Sequence, residues 1–133
     1  MAGETTTATN LNAPFELPTG LFLVPFTLSY STTQNETNDV MQAGYLPAGV
    51  TVYGFVYSPT DMDTNVSPAL VQKITIGSTD VATGLTGAQT GAKTFVGITP
   101  VTLTAKTLAT VTSTTAAATA AAGTLYLAFL CQK

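Results

Sequence analysis

Val50-Thr51-Val52-Tyr53-Gly54-Phe55-Val56-Tyr57 reads as a β-strand. Its β-branched and aromatic residues suit an extended, half-buried backbone. Val50, Val52, Gly54 and Val56 share one parity, and Thr51, Tyr53, Phe55 and Tyr57 share the other. Both faces are therefore apolar or aromatic, the pattern of a strand covered at least in part on each side. Pro47-Ala48-Gly49 just ahead of it is a turn signal, because Pro sets φ and Gly tolerates a positive φ.

The same grammar extends in both directions. Upstream, residues 21–30 are apolar on both parities at first, then place Phe26, Leu28 and Tyr30 on one face and Thr27 and Ser29 on the other. Pro25 marks that strand as an edge or a kink. Residues 31–39 read as a polar loop, with short apolar pieces at Val40-Met41 and Tyr45-Leu46. Downstream, residues 58–68 read as a second polar loop. Leu70, Gln72, Ile74 and Ile76 then alternate with Val71, Lys73 and Thr75 up to Gly77. Residues 77–93, with Gly77, Gly84, Gly87 and Gly91, read as a long irregular connection.

Thr-rich runs follow at 94–98, 101–105 and 107–111, the first two separated by Pro100, and the last run is 124–131. Residues 116–122, Ala-rich and followed by Gly123, allow either a short Gly-capped helix or a loop or small-residue strand. The count is about seven or eight short strands with Gly/Pro punctuation, which predicts an all-β antiparallel β-sandwich or jelly roll. Residues 1–20, rich in Thr and Asn with Pro14 and Pro18, read as an extended N-terminal arm, and 21–133 as a single sandwich domain.

Composition restricts the chemistry. Of 133 residues only 8% are charged, and there is no His, Arg or Trp. Most groups that move protons, ligate metals or hold phosphates near neutral pH are missing, and the reading is non-enzymatic. Nucleophile triads lack their base. The seven carboxylates fall in expected loops or the arm, so no glycosidase pair is implied. Four scattered lysines and a net charge of −3 exclude a concentrated basic surface, so neither nucleic acid nor a membrane is an expected partner. No apolar run approaches the ~20 residues of a membrane span. The first residues show no basic region or apolar segment, so no secretory signal is expected. A lone cysteine, Cys131, sits within an apolar alternation and reads as a small buried hydrophobe.

Few motifs remain. Asp61, Asp63 and Asn65 have the alternate spacing of a calcium loop, without the Gly and distal Glu that complete one. They read as an Asx-rich turn, with a weak cation site as the alternative. Gly84, Gly87 and Gly91 lack the Lys-Ser/Thr of a phosphate loop, and no cofactor is expected. Tyr53 and Tyr57 are candidate partner contacts, with Pro14, Phe15 and Pro18 of the arm, which is expected to lie along a neighbour.

Three stretches share a cadence with a known family: Leu46-Pro47-Ala48-Gly49-Val50, Leu70-Val71-Gln72-Lys73-Ile74-Thr75-Ile76-Gly77, and Ala120-Ala121-Ala122-Gly123-Thr124-Leu125-Tyr126-Leu127. Across 40–130 the chain resembles capsid decoration (cement) proteins of tailed bacteriophages. The resemblance implies a jelly-roll or β-sandwich protein, often a homotrimer, made in the host cytoplasm and seated on the outer capsid surface of the virion. There it would clamp neighbouring subunits of the major capsid protein after head expansion. It brings no catalytic residues and no cofactor. Two other readings fit the same composition: another virion component such as a head fibre, tail or minor capsid protein, and a carbohydrate- or receptor-binding β-sandwich module using its tyrosines.

Overall fold

The computed structural model describes residues 20–133, so the expected arm, Gly20 apart, lies outside the described residues. Among these residues eight strands form: β1 (Leu21–Tyr30), β2 (Val40–Leu46), β3 (Thr51–Pro59), β4 (Val71–Ile76), β5 (Thr79–Leu85), β6 (Thr94–Thr102), β7 (Thr107–Thr115) and β8 (Gly123–Gln132). They make two four-stranded sheets, ordered β1-β8-β3-β6 and β2-β7-β4-β5. Every pairing is antiparallel. Successive strands cross between the sheets, except at the β4–β5 hairpin, which is the double Greek key of a jelly roll. The expected all-β sandwich is the observed fold.

Alternation builds the core. Leu125, Leu127, Phe129 and Cys131 of β8 are all fully buried, opposite Ile74 of β4 and Val111 of β7 in the second sheet. Each buried Leu, Ile, Val or Phe side chain contributes roughly 1.5–3 kcal/mol. Phe129 packs edge-on to Phe26 (centroids 6.1 Å apart, planes at 69°) and tilted against Phe55 (5.6 Å, 52°). Phe26 in turn reaches across the sandwich to Gly44 of β2. A Cβ on Gly44 would lie 2.5 Å from Phe26 Cε1, and its φ of 151° is one that side chains rarely adopt. Gly44→Ala is therefore expected to lower stability by about 1–3 kcal/mol, visible as a lower Tm.

One end of the core is polar. Asn35, in the β1–β2 loop, is buried against inward-facing Gln72 and Ser113. Gln72 Nε2 and Ser113 Oγ both donate to Asn35 Oδ1 (3.3 and 3.0 Å), and Tyr57 donates its hydroxyl to Gln72 Oε1. These bonds satisfy groups that would otherwise be dry and unpaired.

Two sequence expectations are corrected, and one open alternative is decided. Residues 77–93 are not wholly irregular: Gly77-Ser78 makes a tight turn (Gly77 φ 64°), and β5 pairs back on β4. β5 carries little apolar signal because it is an edge strand. Its presence comes from backbone pairing. Pro100 does not separate two strands but lies inside β6, and the run expected at 101–105 ends at Thr102. Proline is tolerated there because β6 is an edge strand, as β1 is for Pro25. Residues 116–122 form a loop with an isolated bridge at Ala120, the second of the two alternatives for that stretch.

Candidate functional site

The outward side of the β1-β8-β3-β6 sheet is unusual for its chemistry. None of its four strands contains an Asp, Glu, Lys or Arg. Register aligns Pro25, Ala128, Val56 and Phe95 across the sheet as one outward apolar row. The adjoining row is Leu23, Leu130, Gly54 and Gly97. Thr27, Tyr126 and Ser58 form the next. Leu23 is 52% exposed, Phe95 54%, Tyr126 42% and Tyr53 37%. Phe95 lies over Gly54, where a Cβ would fall 2.7 Å from its Cζ. A Cβ on Gly97 would meet nothing, so that position opens onto free space.

The second sheet faces outward with different chemistry. Thr110, Thr112 and Thr114 of β7 run along it, beside Lys73 and Thr75 of β4. Lys73 Nζ pairs with Asp80 Oδ2 of β5 at 3.2 Å, and Thr75 Oγ1 donates to Asp80 Oδ1 at 3.0 Å. Bonding to Lys73 and Thr75 holds the Asp80 carboxyl below its ordinary range. At the β2 edge the Lys106 ammonium sits 4.6 Å from the centre of the Tyr45 ring. Water suits this face. The first sheet's face gains by losing water.

The sequence-derived contact residues separate. Tyr53 is on the outward side, its hydroxyl donating to Gln132 Oε1 at 2.9 Å. Tyr57, expected with it at a partner contact, is fully buried and is corrected to a core residue. A register shift between Val52 and Gly54 is the reason. It inverts the parity of β3, so that Val52 points in, then Phe55 and Tyr57 point in, while Gly54 and Val56 turn out. Pro14, Phe15 and Pro18 lie outside the described residues. Strict alternation therefore missed Val56 and Phe95; the signal available was that β3 is apolar on both parities.

Asp61, Asp63 and Asn65 occupy the β3–β4 loop, where each side chain accepts from the backbone two residues on: Asp63 N–H to Asp61 (3.0 Å), Asn65 N–H to Asp63 (3.4 Å), Ser67 N–H to Asn65 (2.9 Å). Asp63 does more. Its Oδ2 also accepts from Ala69, Leu70 and Ala118 N–H (2.7, 3.0 and 2.9 Å), and its Oδ1 from Thr119 N–H at 2.9 Å. The carboxylate is buried. Burial works to raise its pKa, but the N–H donors of Ala69, Thr119, Ala118 and Leu70 outweigh that and hold it well below the usual carboxylate range. This side chain bolts the β3–β4 loop to the β7–β8 loop. Its lone pairs face N–H donors, the surroundings of a held anion. Among the described residues no group of three or more His, Cys, Asp or Glu comes together to hold a metal ion.

Tyr30, Tyr57 and Cys131 are sequestered in the core. Burial raises the Tyr30 and Tyr57 phenols well above their ordinary range. Burial also pushes the Cys131 thiol up to about 11, which leaves almost no thiolate at neutral pH. A cleft of about 340 Å³ lies between the edge strands β5 and β6, lined by Thr79, Asp80, Val81, Thr99, Pro100 and Val101. Its one ionisable group, Asp80, is already paired with Lys73.

No family model and no curated protein matches the chain. Two solved structures share its fold. A chain in the capsid asymmetric unit of cyanophage Pam1 superposes with a TM-score of 0.68 at 20% identity, covering 92% of this chain and 94% of that one. A chain in the capsid of Ralstonia phage GP4 gives a TM-score of 0.74 at 16% identity, covering 90% and 89%. At these identities the likeness is one of fold.

Proposed function

We propose that this chain is a non-enzymatic structural protein of a bacteriophage virion. In this reading it is a decoration (cement) protein that binds the outer capsid lattice, contacts the major capsid protein and stabilises the shell, with copies associated as a homotrimer. The observation that carries the reading is the uncharged, apolar outer face on a jelly roll. A surface of that kind gains free energy by being covered, and it offers no groups for proton transfer. The match over nearly the whole length of chains from two phage capsids supports it. So do the sequence stretches that resemble the decoration family.

Electron cryo-microscopy of the virion that carries this chain tests the reading. Jelly-roll density on the outside of the shell, in copy number on the order of the major subunit's, is the expected result. Density confined to a tail, a fibre or a single vertex, or none at all, overturns it.

The low charge makes a second measurement informative. Docking through neutral surfaces is screened little by salt, so raising NaCl from ~50 to ~150 mM is expected to change affinity for the capsid less than about twofold. Titration of purified protein onto undecorated heads reads this directly. A steep loss of binding over that range contradicts docking through neutral faces.

A further inference from the structure

The cleft between the edge strands β5 and β6 is the one concavity of the sandwich not yet given a role. Val81 and Val101 in its wall are only partly buried against the core, so its floor still has apolar surface to cover. Pro100 has no N–H to offer a further strand, so the cleft suits entering side chains better than a continuous ladder. Asp80 is engaged by Lys73, so an occupant needs neutral groups on the side it presents.

We infer that this cleft receives residues 11–17 from the arm of a second copy of this chain. The inference deepens the reading above and rests on the self-association within it. The sequence of the arm favours this occupant. Leu11, Ala13, Phe15 and Leu17 share one parity, and Asn12, Pro14, Glu16 and Pro18 share the other. On an extended backbone that pattern makes one apolar side and sets the single charge on the opposite one. Pro14 and Pro18 disfavour helical backbone at Ala13 and Leu17, which lowers the cost of ordering the stretch on docking. Phe15, at its centre, is an aromatic anchor for a small half-apolar cleft.

Reach selects a neighbour's arm over the chain's own. Register sets Leu21, Gln132, Thr51 and Thr102 in one row. The arm therefore joins β1 at the same end of the sheet as the cleft, but on the opposite edge. The strand spacings from β1 across to β6 add to about 14 Å, and an extended residue covers about 3.3 Å. Roughly four or five residues are spent before an arm meets the cleft of its own sandwich. Leu17 lies too close to Gly20 to arrive there, and Phe15 arrives only at full extension. A neighbour whose β5–β6 edge stands beside β1 takes the whole stretch. Such a contact joins opposite edges of successive copies, so it is head-to-tail, and it closes as a ring in the homotrimer. It also leaves the outward face of the β1-β8-β3-β6 sheet free for the shell.

Paired cysteines in the full chain test the inference. Phe15→Cys with Thr99→Cys puts one thiol on the arm and one at the exposed rim of the cleft. Cys131 is fully buried and its thiol is pushed up to about 11, so it stays out of the reaction. Mild oxidation of the free protein, followed by non-reducing gel electrophoresis, is expected to give linked species of two and three copies and none larger. Phe15→Cys with Val66→Cys is the control, since Val66 is exposed in the β3–β4 loop at the other end of the sandwich. It is expected to link at least ~10-fold less, because nothing holds those two thiols near each other. Phe15→Ser reads the same contact without cysteines. In sedimentation velocity its association is expected to need at least ~10-fold higher concentration, with an unchanged circular dichroism spectrum. A link formed within one chain, no link at all, a ladder running past three copies, or equal linking through Val66 overturns the inference. So does association indifferent to Phe15→Ser. Virions decorated by copies that never link sink this inference alone. Linked trimers absent from virions sink the capsid reading and leave the arm contact standing.

Discussion

Asp63→Ala is expected to be among the most damaging single substitutions in the molecule, although Asp63 lies in a loop. Five backbone N–H groups converge on its carboxylate, from Asn65, Ala69, Leu70, Ala118 and Thr119. Each buried donor left without a partner costs about 1–3 kcal/mol, and opening of the loop lets water recover some of them. A net loss of roughly 3–5 kcal/mol is expected, a large share of the ~5–15 kcal/mol that holds a domain together. In thermal unfolding this corresponds to a Tm lower by ~10–20 °C. Asp63→Asn is expected to rescue only part of it, because an amide turns its own donors toward N–H groups. A variant that melts with the wild type shows that the two loops are held by something else.

The same residue fixes a sign in the pH dependence. Its folded-state pKa is depressed, so its stabilisation is fully present above the unfolded carboxyl value of ~3.9 and is lost as pH falls below that value toward the folded one. Stability from this group is therefore flat between neutral pH and about pH 5 and declines beneath about pH 4. Melting temperatures of Asp63→Ala, measured over the same range, are expected to show a shallower acid limb, the part due to Asp80 remaining.

Phe129→Ala is the second large effect. Phe129 is fully buried on β8, between β1 and β3, with Phe26 and Phe55 against its ring. Truncation removes its burial and leaves a cavity that two aromatic neighbours, each anchored in its own strand, cannot close. The expected loss is about 3–5 kcal/mol by denaturant titration. Phe129→Leu, which refills most of the volume, is expected to lose clearly less. Equal losses for the two variants would show that ring contacts, and not volume, set the stability here.

Much of the fold was legible because period-two patterning survives wherever a strand covers a core. Leu125, Leu127, Phe129 and Cys131 announce β8, and Gln72, Ile74 and Ile76 announce the inner side of β4. β5 was not legible, since Thr79–Leu85 is held mainly by pairing to β4 and its Val81, Ala82 and Leu85 are only partly buried. The candidate surface was half legible. The absence of charge was plain, but one extra residue near Tyr53 inverts the sides of β3, and no periodic pattern reports a bulge before the partner strand is known. It exchanged Tyr57 for Val56 at the surface. Asp61, Asp63 and Asn65 stood out by spacing, yet their partners include Ala118 and Thr119, more than fifty residues further along the chain. Spacing within a loop cannot show a bond to another loop.

The position of β8 has a consequence for how the protein comes to exist. It is the furthest strand along the chain among the described residues, and it lies between β1, among the first of them, and β3. Lys133 N–H closes onto Gly20 O at 3.1 Å, sealing the pair. A nascent chain on the ribosome therefore holds β1 with no neighbour in its own sheet until β8 emerges. Contacts between such distant segments form slowly, so closure of this sheet is a late step in folding. A polypeptide cut before Gly123 lacks an inner strand of this sheet and leaves β1 with no partner in it.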